Sequence, residues 1–150
     1  MTGFRSAMPA ALAAARAAAA LGEVPVGAVV TDAAGTVVAT AHNRTRTDRD
    51  PTAHAELLAI RAAAAALGAE RLTGCTLWVT LEPCAMCAGA IVQARLARLV
   101  YAAPDPKGGG VAHGARVFAQ ATCHHRPEVV AGVGENEAAD LLRAFFAARR

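Results

Sequence analysis

Residues 75–92 read CTLWVTLEPCAMCAGAIV. The first seven are aliphatic, aromatic or β-branched, the composition of a buried strand. Glu82-Pro83 breaks that run, and the alanine-rich stretch that follows, with Ile91 and Val92 for a buried face, reads as a helix starting at the break. Cys84 and Cys87 therefore stand three residues apart at the start of a helix, where their sulfurs project to the same side. The positive end of the helix dipole favours thiolate there, the form that binds metal.

Upstream, His54-Ala55-Glu56 lies at the start of another helix, read from near Pro51 to about Leu67, with Asp50 placed to cap it. Strand-like segments at 26–30 and 36–41 precede it, joined through Asp32-Ala33-Ala34-Gly35, and a polar loop covers 42–50. An alanine-rich helix over 6–21, ended by Gly22, opens the chain. Downstream come a strand at 98–103, a loop containing Gly108-Gly109-Gly110, and a short helix around 115–121. A strand at 129–133 and a helix over 136–149 close the order. Helix-strand-strand-helix followed by alternating strands and helices predicts an α/β fold, one sheet with helices on its faces. Residues 1–150 suit one domain, with no repeat or linker.

Composition narrows the class. The hydrophobic fraction of 55% is inflated by alanine and aromatics are 4%, so Leu, Val, Ile and Phe must fill the core. The net charge of +3, with Lys107 the one lysine, permits an anionic partner without requiring one. Four cysteines do not make a disulfide scaffold. The apolar run 7–21 is interrupted by Arg16 and leads into Glu23-Val24-Pro25 rather than a cleavage site, so it does not read as a signal peptide. No stretch is long and apolar enough to cross a membrane as a helix. A reducing cytoplasm is expected.

Together the two segments spell H-x-E … P-C-x-x-C, the pattern of zinc-dependent deamination of a nucleobase. His54, Cys84 and Cys87 are expected to hold Zn2+ and leave a fourth tetrahedral position for water, whose pKa the metal lowers to about 7. Glu56, two residues past His54, is the expected proton carrier: from water to a ring nitrogen, then to departing ammonia. Other readings exist. A Cys-x-x-Cys after a strand suits a thiol–disulfide oxidoreductase, which leaves His54 and Glu56 without a task. A closed structural zinc site needs a fourth ligand, for which Cys75 and Cys123 are the candidates. A non-catalytic, zinc-stabilised RNA-binding module has no need of Glu56. His124 and His125 read as solvent-facing or capping groups, and His42 and His113 have two readings each.

Three stretches carry a resemblance: Glu23-Val24-Pro25-Val26-Gly27-Ala28-Val29, Asp50-Pro51-Thr52-Ala53-His54-Ala55-Glu56, and residues 79–90, VTLEPCAMCAGA. They resemble the cytidine deaminase superfamily, and within it the bacterial tRNA adenosine deaminases. That resemblance implies a three-layer α/β/α sandwich around a mixed five-stranded sheet, a homodimer, and conversion of adenosine to inosine at the tRNA wobble position in the anticodon loop. It also implies that Asn43 and the main chain of Ala55 contact the flipped-in base, and that Asp105 and Lys107 lie beside ribose and phosphate. Phe145, Phe146 and Arg149 match the end of the helix near the anticodon loop, and Arg44, Arg46 and Arg49 flank the expected pocket. Where the family commonly has glycine-serine after the lysine, this chain has a glycine run, and His113 stands about where the serine would be. That departure keeps open a free-base deaminase acting on guanine, cytosine or a related heterocycle.

Overall fold

The computed structural model describes residues 5–149. Helices α1 (Met8–Ala20), α2 (Ala55–Leu67), α3 (Ala85–Ala94) and α4 (Glu135–Ala147) alternate with strands β1 (Gly27–Thr31), β2 (Val37–His42), β3 (Thr76–Leu81), β4 (Arg98–Ala103) and β5 (Glu128–Ala131). The strands form one sheet in the order β2-β1-β3-β4-β5. β1 is antiparallel to β2 and β3, whereas β3, β4 and β5 run parallel.

The two-residue period of the strands divides the core. Ala28, Val30, Leu77, Val79, Leu99 and Tyr101 face one side, with Ala59 and Ala63 of α2 and Ala88 and Ile91 of α3. Val29, Trp78, Val100 and Ala102 face the other, with Ala11 and Leu12 of α1 and Ala138 of α4. The result is the expected three-layer α/β/α sandwich around a mixed sheet.

Alanine serves close approach here rather than volume. A Cβ built on Gly27 would lie 2.0 Å from the Ala11 carbonyl oxygen and 2.6 Å from the Ala15 nitrogen, so the backbone of α1 rests directly on β1. Only glycine in the strand and small residues on the helix allow that spacing.

Most expected boundaries shift by one or two residues, and three differences near the site have a local cause. α2 begins at Ala55, not near Pro51, because Asp50 forms a turn instead of capping the helix: its Oδ1 accepts the Thr52 N–H at 2.9 Å and the Thr52 hydroxyl at 2.7 Å. α3 begins at Ala85, after the extended Cys84. The helix expected around 115–121 is a single 3-10 turn, Val117–Ala119, preceded by Arg116 in the left-handed region at φ 43°. Side chains hold that segment: Arg126 Nε donates to the Phe118 carbonyl and His125 Nε2 to the Leu96 carbonyl. His125 is thus a capping group, one of its two expected roles. No described helix is long and apolar enough to cross a membrane.

Candidate active site

The starts of α2 and α3 meet beyond the carboxyl end of β3, the edge where open α/β sheets place their sites. His54 and Cys84 are the residues just before each helix, both extended, at φ −77°, ψ 149° and φ −70°, ψ 174°. That conformation turns their side chains toward each other while the following turns carry Glu56 and Cys87 inward. His54 Nδ1 lies 3.6 Å from the Cys84 sulfur and 3.6 Å from the Cys87 sulfur. Among the described residues, these three side chains form the group able to hold a metal ion.

The fit to a metal can be tested on the distances. Zinc with sulfur at about 2.3 Å and nitrogen at about 2.0–2.1 Å in tetrahedral geometry spaces those donors roughly 3.5–3.6 Å apart. The observed separations match, and two sulfurs with one imidazole are a borderline-soft donor set suited to zinc. Cys75 and Cys123 supply no fourth ligand. Their sulfurs sit on the main-chain oxygens of Thr73 and His125.

Electrostatics agree with the geometry. The Cys84 thiol is pulled down to about 3, first by its hydrogen bond with Cys87 and then by that with His54. Cys87 moves the opposite way, because one thiolate beside it and its own burial oppose a second negative charge. His54 is raised, chiefly by its bond to Cys84. Glu56 is 4% exposed, and burial pushes its carboxyl up to about 7.

Two loops border this cluster, each tied to a buried carboxylate. Glu23, 1% exposed, accepts from the N–H and hydroxyl of Thr47, both at 2.6 Å, and from the Arg46 N–H at 3.3 Å. Burial alone would raise its pKa; the Thr47 and Arg46 donors outweigh it and hold the carboxyl below its usual value. Glu82, 2% exposed, gathers residues 105–113. Its Oε1 accepts the Asp105 N–H at 3.0 Å and His113 Nδ1–H at 2.7 Å, while its Oε2 accepts the N–H groups of Val111, Ala112 and His113 at 3.2, 2.9 and 3.2 Å. Burial again pulls upward, and the Asp105 N–H and His113 ring lead the donors that outweigh it. The roles of both glutamates escaped the sequence reading. The available signal was a carboxylate set among apolar residues, which burial forces to find donors.

The other expected site residues have partners or exposure of their own. Asn43 Oδ1 accepts the Ala55 N–H at 2.9 Å, so two groups assigned to substrate contact are bonded to each other. Asp105 Oδ1 accepts the N–H groups of Lys107 and Gly108, and the Lys107 side chain is exposed. Arg44 is paired with Asp48 at 3.0 Å, whereas Arg46 and Arg49 are exposed. Arg149 lies over the Phe145 ring at 3.5 Å. A concavity of ≈ 890 Å³ lies elsewhere, lined by Asp32, Trp78, Arg98 and Glu128 among others and by no member of the cluster.

Comparison with known proteins agrees with this geometry. The profile of the MafB19-like deaminase family matches residues 4–150. A tRNA-specific adenosine deaminase of Agrobacterium fabrum is 56% identical over 144 residues, 95% of this chain and 93% of that protein. A structure from a study of A-to-I editing by tRNA:A34 deaminases at the wobble position of transfer RNA superposes with a TM-score of 0.88 at 55% identity, covering 90% of this chain and 97% of that one. A tRNA(Ile)-lysidine synthase of Deinococcus deserti is 49% identical over 141 residues, which are 94% of this chain and 26% of that protein. With a profile match over nearly its whole length and such close relatives, this chain belongs to the deaminase family that includes the bacterial tRNA-specific adenosine deaminases, and it is an enzyme of that family.

Proposed function

We propose that this protein hydrolyses adenosine to inosine at the wobble position of tRNA, with zinc held by His54, Cys84 and Cys87. The observation that carries the chemistry is the three-donor cluster with a buried carboxylate, Glu56, on the turn that follows one of its members, His54. The tRNA substrate is supported by the Agrobacterium relative and by the structure from the A34 deaminase study. The Deinococcus relative adds to this, because there a similar unit belongs to a longer protein named for tRNA modification. The same relative supports residues 1–150 as one deaminase unit.

What zinc supplies when bound is Lewis acidity, enough to make water a nucleophile near neutral pH. The protein's own groups do the rest. Glu56 takes a proton from water and delivers it to the purine ring nitrogen as the water oxygen bonds to the amino-bearing carbon. It then moves the proton of that new hydroxyl to the amino nitrogen, so that the C–N bond breaks, ammonia leaves and the carbonyl of inosine forms. Because Glu56 is 4% exposed, bulk water does not compete for these transfers. The Asn43 carbonyl is spent on the Ala55 N–H, so Asn43 meets the base through its amide nitrogen. Asp105 and Lys107 border the ribose and phosphates. A single-stranded anticodon loop presents an adenosine already out of a duplex, which lowers the unstacking cost.

A tRNA substrate places the enzyme in the cytoplasm. We also assign it as a homodimer, on the support of apolar surface on the α2–α3 layer, where Leu67 is 44% and Met86 38% exposed. Sedimentation at micromolar concentration tests that assignment, and a monomer refutes it. The substrate is tested by measuring inosine formation in an anticodon stem-loop with adenosine at the wobble position, beside ammonia release from free adenine, guanine and cytosine. Inosine without free-base turnover supports the reading. Free-base turnover without inosine overturns the substrate and keeps the chemistry.

A further inference from the structure

The segment 104–114 contributes Asp105 and Lys107 to the proposed substrate site, yet it contains no helix or strand. Few main-chain bonds of its own shape it. Gly109 N–H donates to the Asp105 carbonyl, and Gly110 N–H donates to the Pro83 carbonyl at 2.8 Å. What converges on the segment is Glu82, with five donors from four residues. Four are main-chain N–H groups and the fifth is His113 Nδ1 at 2.7 Å, with Glu82 side-chain exposure 0% and His113 34%.

The glycines exist to admit this arrangement. A Cβ on Gly109 would lie 2.4 Å from Glu82 Oε2, and one on Gly110 would lie 2.5 Å from the Ala85 nitrogen. The loop therefore wraps the carboxylate and rests on the first residue of α3. Glu82 is also the residue that leads from β3 through Pro83 to Cys84. One short turn thus bears a metal ligand in one direction and the substrate loop in the other.

We infer that Glu82 is a positioning residue for the substrate loop, and that its bond with His113 closes that loop into the shape that presents Asp105 and Lys107 to RNA. Glu82 touches neither the base nor the metal in this assignment. It acts through the loop, and His113 is the side-chain half of the clasp. The inference rests on the RNA reading proposed above.

Kinetics on the anticodon stem-loop, with zinc content measured on each preparation, provide the test. His113→Ala removes the clasp, whereas His113→Asn puts an amide donor near the position of Nδ1. Glu82→Gln replaces one acceptor oxygen by a donor facing N–H groups. The expected result is a KM about tenfold higher for His113→Ala, from loss of one hydrogen bond to a charged group, with kcat and zinc content near wild type. His113→Asn restores most of the KM, and Glu82→Gln raises it further. An unchanged KM in both His113→Ala and Glu82→Gln overturns the inference. So does a Glu82→Gln protein that loses zinc or kcat at constant KM, since that marks a purely structural support of α3. A wild-type protein inactive on the stem-loop overturns the RNA reading and this inference together, whereas an active wild type with indifferent variants overturns this one alone.

Discussion

The starts of α2 and α3 and the loops beside them solve the same problem in opposite ways. At the helix starts, Glu56 and Cys87 stand on the first turns of helices packed into the core, where Cys87, Ala55 and Ala88 are 0% exposed, and His54 and Cys84 are the half-buried residues just before those turns. Rigidity comes from many contacts, and no single neighbour holds the cluster. The loops at 43–50 and 104–114 carry no helix or strand, and each is tied to a buried carboxylate, Glu23 or Glu82. The two loops also differ. The donors to Glu23 fall within residues 45–47, whereas those to Glu82 span 105–113. The groups that would hold a tetrahedron stand at the starts of two packed helices, and the surfaces that would meet a polymer stand on loops tied to buried carboxylates.

Replacement of Cys87 breaks the comparison at its stiffest point. Cys87→Ala should lose zinc on dialysis and fall below detectable turnover, and full zinc retention would show that the other two ligands suffice. Glu56→Ala should keep its zinc and lose roughly a thousandfold in kcat, the scale of a general acid–base contribution. Activity within tenfold of wild type would mean that another group moves the proton.

The loop side gives smaller numbers. Glu23→Gln should lower unfolding stability by about 2 kcal/mol at neutral pH, because a buried carboxylate that accepts several donors becomes a single carbonyl. The folded-state pKa of Glu23 is below its ordinary 4.5, so its stabilisation is present above that pH and lost as pH falls through the lower folded value. Denaturant titrations of wild type and variant should therefore converge in acid; parallel curves would remove the carboxylate from the explanation. The smallest effect belongs to Arg44→Ala. Its partner Asp48 is exposed and solvent screens the pair, so stability should barely change. A clear loss of stability would make the 43–50 loop more tightly coupled than its contacts indicate.

Where the sequence reading missed, local competition or distance was responsible. Asp50 looked like a cap because it precedes Pro51, but its carboxylate closes on Thr52 two residues ahead and the helix begins only at Ala55. The stretch 115–121 has helix-favouring residues, yet Arg126 Nε reaches back to the Phe118 carbonyl and Arg116 adopts the left-handed region. Propensity yielded to contacts from outside the window.

His54, Glu56, Cys84 and Cys87 were legible because each pair lies within four residues at the start of a helix, and local backbone geometry dictates where such side chains point. Strands β1, β3 and β4 were legible for a related reason, since each is a short continuous run of apolar and β-branched residues, the mark of a strand buried on both faces. The sequence alone did not show that Glu23 would find Thr47, 24 residues away, or that Glu82 would find His113, 31 residues away. A buried carboxylate must be satisfied by some donor, but which one depends on the loop that the assembled sheet and helices bring to it. That choice is made by packing across the whole chain, and only the tertiary structure contains it.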